Sequence, residues 1–179
     1  MNKIPTIFIR DMSRRPALVT PEWHPDALWV RDGEGVATCK YDGTSCLVRD
    51  RKLYKRRELR PGDTAPPDFE SLGTDENTGK TVGWVPVGDG PDDRWHRDAF
   101  TGTEEPGTYE LMGPKINGNT SKLADHVLIR HMTAEQFDAP RDFEGLKAWL
   151  AEHNIEGLVW HRHDGRMAKI KRRDFGLKW

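Results

Sequence analysis

The chain has 179 residues, with 28 Lys and Arg against 29 Asp and Glu, a formal net charge of −1, seven Trp and 35% hydrophobic residues, and its mean hydropathy is −0.80. No apolar run approaches the length of a membrane span, and the Trp content with its apolar runs excludes a disordered chain, so one soluble domain over 1–179 is expected. "MNKIPTIFIRDMSRR" carries no signal-peptide pattern, and Cys39 and Cys46 read as reduced thiols, which together imply a cytoplasmic protein, with a monomer favoured.

Ile4–Arg10 (IPTIFIR) reads as a strand, and Ala27–Val30 and Gly35–Cys39 as strand pieces around an Asp32-Gly33 turn. Ser45–Val48 and Leu53–Leu59 pair as a hairpin through Asp50-Arg51-Lys52. Arg60–Thr81, with Pro61, Pro66 and Pro67, reads as loop. Gly83–Gly88 (GWVPVG) is a strand that Pro86 confines to a sheet edge, and Gly88–Thr103 is acidic and irregular. Gly107–Gly113 (GTYELMG) is a strand, followed by the turn residues of PKINGN. Thr133 with Gln136 fits a capping box. Asp142 caps a helix over FEGLKAWLAEH, whose Phe143, Leu146, Trp149 and Leu150 share one face. IEGLVWHR and RMAKIKRR flank Asp164-Gly165 as a hairpin. Antiparallel strands dominate and helices flank them, an α+β pattern.

Charge is segregated along the chain. Residues 49–60 hold seven Lys/Arg against two acids, residues 161–179 again seven against two, and residues 62–110 twelve acids against three bases. The basic segments are either solvated strand edges that resist aggregation or a positive surface for nucleic acid. Lys40, in ATCKYDGTSC, interrupts a strand-like run. It is either a solvated residue before an ordinary Asp42-Gly43 turn or a nucleophile beside a phosphate site. His161-x-His163 is too little for zinc.

The last hairpin carries a geometric expectation. With a two-residue loop at Asp164-Gly165, His163 pairs with Arg166, Trp160 with Lys169, Leu158 with Lys171 and Glu156 with Arg173. Strand alternation then places Glu156, Leu158, Trp160, Lys169, Lys171 and Arg173 on one face. That face is either an ion-paired surface of small energetic weight or a polyphosphate site, with lysines for phosphate oxygens and a carboxylate for a divalent metal. The two apolar side chains point to the wall of a cleft.

Lys40-x-Asp42-Gly43, Tyr109-Glu110-Leu111-Met112-Gly113, Glu156-Gly157-Leu158-Val159 and Lys169-Ile170-Lys171 follow one another in this order. The set resembles the ordered motifs of the covalent nucleotidyltransferases, the superfamily of ATP-dependent DNA and RNA ligases and mRNA capping enzymes. The phrases "ATCKYDGTSC", "GWVPV", "RWH", "ELMGPKINGN", "IEGLVWH" and "KIKRRDFGLKW" are similar to one branch, the RNA ligase 1 family of ATP-dependent 5′-3′ RNA ligases.

The resemblance implies a nucleotidyltransferase (ATP-grasp-like) fold of antiparallel sheets flanked by helices. It implies ATP as AMP donor, Mg2+ or Mn2+ as cofactor, and RNA as partner. By the same token Lys40 takes AMP, Arg57 (or its neighbours Arg56 or Arg60) serves the ATP site, and Glu110 binds the ribose hydroxyls. Glu156 is the metal-associated carboxylate, and Lys169 and Lys171 lie over the α-phosphate and the outgoing pyrophosphate. Two departures stand out. Cys39 occupies the position where such ligases often have a glutamate that helps read adenine, so that contact is lost or moved to backbone groups. The chain also ends soon after the lysine pair, leaving no room for an OB domain. A DNA-sealing or capping enzyme and a catalytically idle RNA-binding module are the rival readings; the first calls for an OB domain, the second for loss of the nucleophile or the lysine pair.

Overall fold

Short runs of β-branched and aromatic residues, cut by Gly, Pro and Asp, fold mostly into antiparallel strands with few helices, in a computed structural model that describes residues 4–76 and 78–178. Met1–Lys3 of the N-terminal reading and Trp179 of the last basic segment lie outside the described residues. The strands are β1 Phe8–Asp11, β2 Leu18–Trp23, β3 Val36–Lys40, β4 Thr44–Arg49, β5 Lys52–Leu59, β6 Glu70–Thr74, β7 Thr81–Pro86, β8 Gly107–Met112, β9 Val127–Arg130, β10 Gln136–Phe137, β11 Gly157–His161 and β12 Met167–Lys171. The helices are α1 Leu28–Arg31, α2 Arg94–Ala99 and α3 Phe143–Glu152. Among the described residues no helix is long and apolar enough to cross a membrane. The chain divides into two compact units, residues 4–41 with 134–178, and residues 42–133, each with its own sheet and core.

The first unit holds the β1–β2 ribbon and a four-stranded sheet in the order β10-β3-β11-β12. Its core gathers Phe8, Trp160, Leu158, Ile170, Leu146 and Leu150, all 0% exposed. Leu146 and Leu150 lie four apart on α3, and Phe143 and Trp149 pack beside them, so the expected apolar face of this helix is the one it buries. Asp142 accepts from Gly145 N at 2.8 Å, as an N-cap should. Along the outer edge of β12, Lys169 N donates to Pro5 O and Ile7 N donates to Lys169 O, so the N-terminal strand reading resolves into an edge bridge followed by β1.

Two expectations fail, and one strand carries no sequence signal. Ala27–Val30 is helical rather than a strand, because Pro25 opens a 3-10 turn capped by the His24 ring and leads into α1. The Thr133–Gln136 capping box does not exist. Thr133 Oγ1 donates back to Arg130 O, and Gln136–Phe137 pairs with β3 as β10. Pro21 sits inside β2 and hides the strand in the sequence; it is tolerated where the ribbon has only two strands.

The second unit is a six-stranded antiparallel sheet, β6-β7-β5-β4-β8-β9, with Cys46, Val48, Leu53, Tyr109 and Leu111 in its core. The expected β4–β5 hairpin is present. β7 is not an edge, since β6 emerges from the stretch read as loop and pairs with it through Glu70↔Trp84. Pro86 lies past that last pair, where the missing donor costs nothing on the β6 side. Within the acidic stretch, Pro91 starts a 3-10 turn that becomes α2, whose Ala99 and Trp95 join the core.

Candidate active site

In the first unit, three adjacent strands bring the lysines together. Lys40 on β3 is opposite Gly157 on β11, which is opposite Lys171 on β12; two pairs along, on the same face, Thr38, Val159 and Lys169 line up the same way. A residue with a Cβ between Lys40 and Lys171 would not fit. A Cβ on Gly157 would stand 2.1 Å from Ile170 O and 2.8 Å from Lys171 Cα. The carboxylate comes from Glu156, just before β11 and only 5% exposed. Lys40 Nζ reaches its Oε2 at 2.6 Å and Lys171 Nζ its Oε1 at 2.5 Å. Burial, together with the neighbouring Lys171, Lys40 and Arg10 cations, holds Lys169 down at about 8. Burial and Lys40 also lower Lys171, against the pull of Glu156.

Glu156, Lys169 and Lys171 do converge in this unit, though not by the expected register. Arg162 N donates to Arg166 O, and Gly165, at φ +86°, closes a three-residue loop rather than a two-residue one. Pairing shifts by one, to Leu158↔Ile170, Val159↔Lys169 and Trp160↔Ala168. The shift turns Leu158 and Trp160 away from the lysines and into the core, where each is 0% exposed. They form no cleft wall. Arg10 and Asp174 were not anticipated. Buried Asp174 accepts from Arg10 Nη2 at 2.7 Å and from Lys171 N at 2.9 Å, bracing the end of β12. The only sequence signal for Asp174 was its place in a basic run, and Arg10 gave none.

In the second unit, Glu110 on β8 is opposite Ser45 on β4 and is 9% exposed. Gly43 N donates to its Oε1 at 3.2 Å, and His131 Nε2 is 3.0 Å from its Oε2. The glycine of the Asp42-Gly43 pair is therefore required by β8, since a Cβ there would meet Leu111 O at 2.3 Å and Glu110 Cγ at 2.6 Å. Asn117, from the PKINGN turn, clasps the same place by donating to Asp42 Oδ1 and Gly43 O. Arg57 is exposed on β5 and lies on the sheet face opposite to Glu110. Register and alternation put Arg56 on the Glu110 face.

Part of each basic segment is already engaged. Lys55 pairs with buried Asp93, Arg49 with Glu70, Arg162 with Glu34, and Arg172 caps α3 through Leu150 O and His153 O. Arg51, Lys52, Arg57 and Arg60 are exposed. Both cysteines are free and buried, with Cys39 pushed up to about 11 by burial and then by Glu135, and Cys46 to about 12 by burial and then by Glu110.

A family model described as RNA ligase 1 matches residues 100–179, the stretch that holds Glu110, Glu156, Lys169 and Lys171. RNA ligase 1 of Danio rerio is 37% identical over 81 residues, 40% of this chain and 25% of that protein's length. RNA ligase 1 of Mus musculus is 25% identical over 264 aligned positions that take in 99% of this chain and 81% of the mouse protein. The counterpart in Rattus norvegicus matches with the same identity and coverage. The resemblance to the RNA ligase 1 family read from the motifs is borne out.

Proposed function

We propose that this chain is an ATP-dependent RNA ligase of the covalent nucleotidyltransferase type, joining a 5′-phosphate to a 3′-hydroxyl through lysyl-AMP. The observation that carries the reading is the contact of Lys40 Nζ with buried Glu156, whose other oxygen takes Lys171, with Lys169 beside them. A solvated edge lysine would not be built into such a cluster. Retention of the nucleophile and of the lysine pair speaks against an idle binding module.

In the first step Nζ of Lys40 attacks the α-phosphorus of ATP. The ammonium first passes a proton along its hydrogen bond to Glu156 Oε2, which frees a lone pair for the attack; a P–N bond then forms, the bond to pyrophosphate breaks, and a second N–H proton leaves with the pyrophosphate. Lys169 and Lys171 neutralise the phosphate oxygens and the departing pyrophosphate. The RNA 5′-phosphate then displaces Lys40 from AMP, and the 3′-hydroxyl displaces AMP from that activated end. Glu110 serves the nucleoside, with Arg56, on the same sheet face, as the arginine of the ATP site.

The resemblance also implies Mg2+ or Mn2+. Glu156 is an oxygen donor suited to such hard ions, and it would hold one by its carboxylate, with phosphate oxygens and water completing the shell. When bound, it would supply positive charge to the phosphoryl oxygens.

Sealing of 5′-phosphorylated RNA with ATP tests the reading. Lys40→Ala should abolish it while still sealing pre-adenylylated RNA, which bypasses the lysine adduct. Sealing with ATP by Lys40→Ala protein would refute it.

A further inference from the structure

Glu110 does not stand alone on β8. Thr108 and Glu110 are two apart and share a face, and the His131 ring from the turn after β9 lies across both. Its Nδ1 is 3.1 Å from Thr108 Oγ1 and its Nε2 3.0 Å from Glu110 Oε2. An ionised carboxylate only accepts, so Nε2 carries the hydrogen and donates, leaving Nδ1 to the threonine hydroxyl. Gly43 N takes one lone pair of Oε1. Each carboxylate oxygen keeps a further lone pair. Directly opposite, Ser45 Oγ is buried without a partner among the described residues, so the site has unused polar capacity.

We propose that His131 is a positioning residue for sugar recognition: the Thr108–His131 pair fixes the Glu110 carboxylate so that its remaining lone pairs meet the ribose hydroxyls of the nucleotide. The inference rests on the ribose role proposed above for Glu110. A side chain that only braces the sheet would affect every nucleotide alike, whereas a positioning residue affects only nucleotides that possess the hydroxyls.

The test compares ATP with 2′,3′-dideoxyATP, which lacks both hydroxyls, as donors for protein adenylylation. His131→Ala should raise the KM for ATP about 3- to 10-fold, the value of one hydrogen bond, and leave the KM for dideoxyATP and both kcat values in place. In His131→Gln the amide nitrogen reaches where Nε2 sits, so the preference for ATP should persist. In His131→Asn it reaches only the Nδ1 position, so the preference should fall as in the alanine variant. Should His131→Ala fail to fold, the Gln and Asn variants decide. Equal losses with both nucleotides, an unchanged ATP preference in the Ala or Asn variant, or its loss in His131→Gln would overturn the inference. Absence of any adduct in the unaltered protein, or no preference for ATP over dideoxyATP there, would instead remove the reading on which it rests.

Discussion

Glu156 sits nearly dry between two ammonium groups, and removing its charge leaves both facing one neutral amide. Glu156→Gln should therefore cost about 1–3 kcal/mol, less than a fully buried pair because Lys40 and Lys171 retain 20% and 13% of their exposure. A urea midpoint matching the unaltered protein would show the pairs to be of surface strength. Lys169 makes the opposite case. Its folded value near 8 lies below the ordinary 10.5, so the folded protein binds fewer protons than the unfolded chain between those pH values. Stability rises with pH across that window, and the cost of the buried cation is full below pH 8. Lys169→Met should thus gain on the order of 1–3 kcal/mol at pH 7 and nothing near pH 10.5. Paired urea titrations at the two pH values check this; a gain equal at both would mean the cation is not penalised.

The β11–β12 hairpin shows how two glycines can matter for different reasons. Gly157→Ala would drive a Cβ into Ile170 O and is expected to cost more than about 3 kcal/mol, at or beyond the usual range for overpacking. Gly165→Ala meets nothing within 4 Å and suffers only its φ of +86°, about 1 kcal/mol. Thermal unfolding of both variants measures the difference, and equal losses would contradict it. The hairpin, the Asp142 cap and the α3 face were legible because local chemistry decides them. The register was not, because Asp-Gly serves both a two-residue turn and a three-residue loop with a left-handed glycine. One residue of slip exchanged the faces of Leu158 and Trp160, while Glu156 still met its lysines from just outside the strand. His131 and Arg10 were invisible for another reason: their partners Glu110 and Asp174 are 21 and 164 residues away. Long-range pairing of this kind leaves no periodic trace in one sequence.

At the scale of the whole molecule, the two basic segments belong to different units, residues 49–60 to one and 161–178 to the other. If both grip RNA, affinity should fall linearly with the logarithm of salt concentration, and each phosphate-contacting cation removed should lower the slope by roughly 0.7. Arg57→Ala and Arg60→Ala, in exposed positions, are the variants to titrate; slopes unchanged in both would remove these two cations from the contact. The central claim concerns one amine. Protein incubated with α-labelled ATP and a divalent cation, then denatured and digested, should carry the label on the peptide containing Lys40. Lys40→Arg keeps the positive charge beside Glu156 but cannot surrender its proton, so that variant should carry none. Label on any other residue, or label retained by Lys40→Arg protein, would contradict the account.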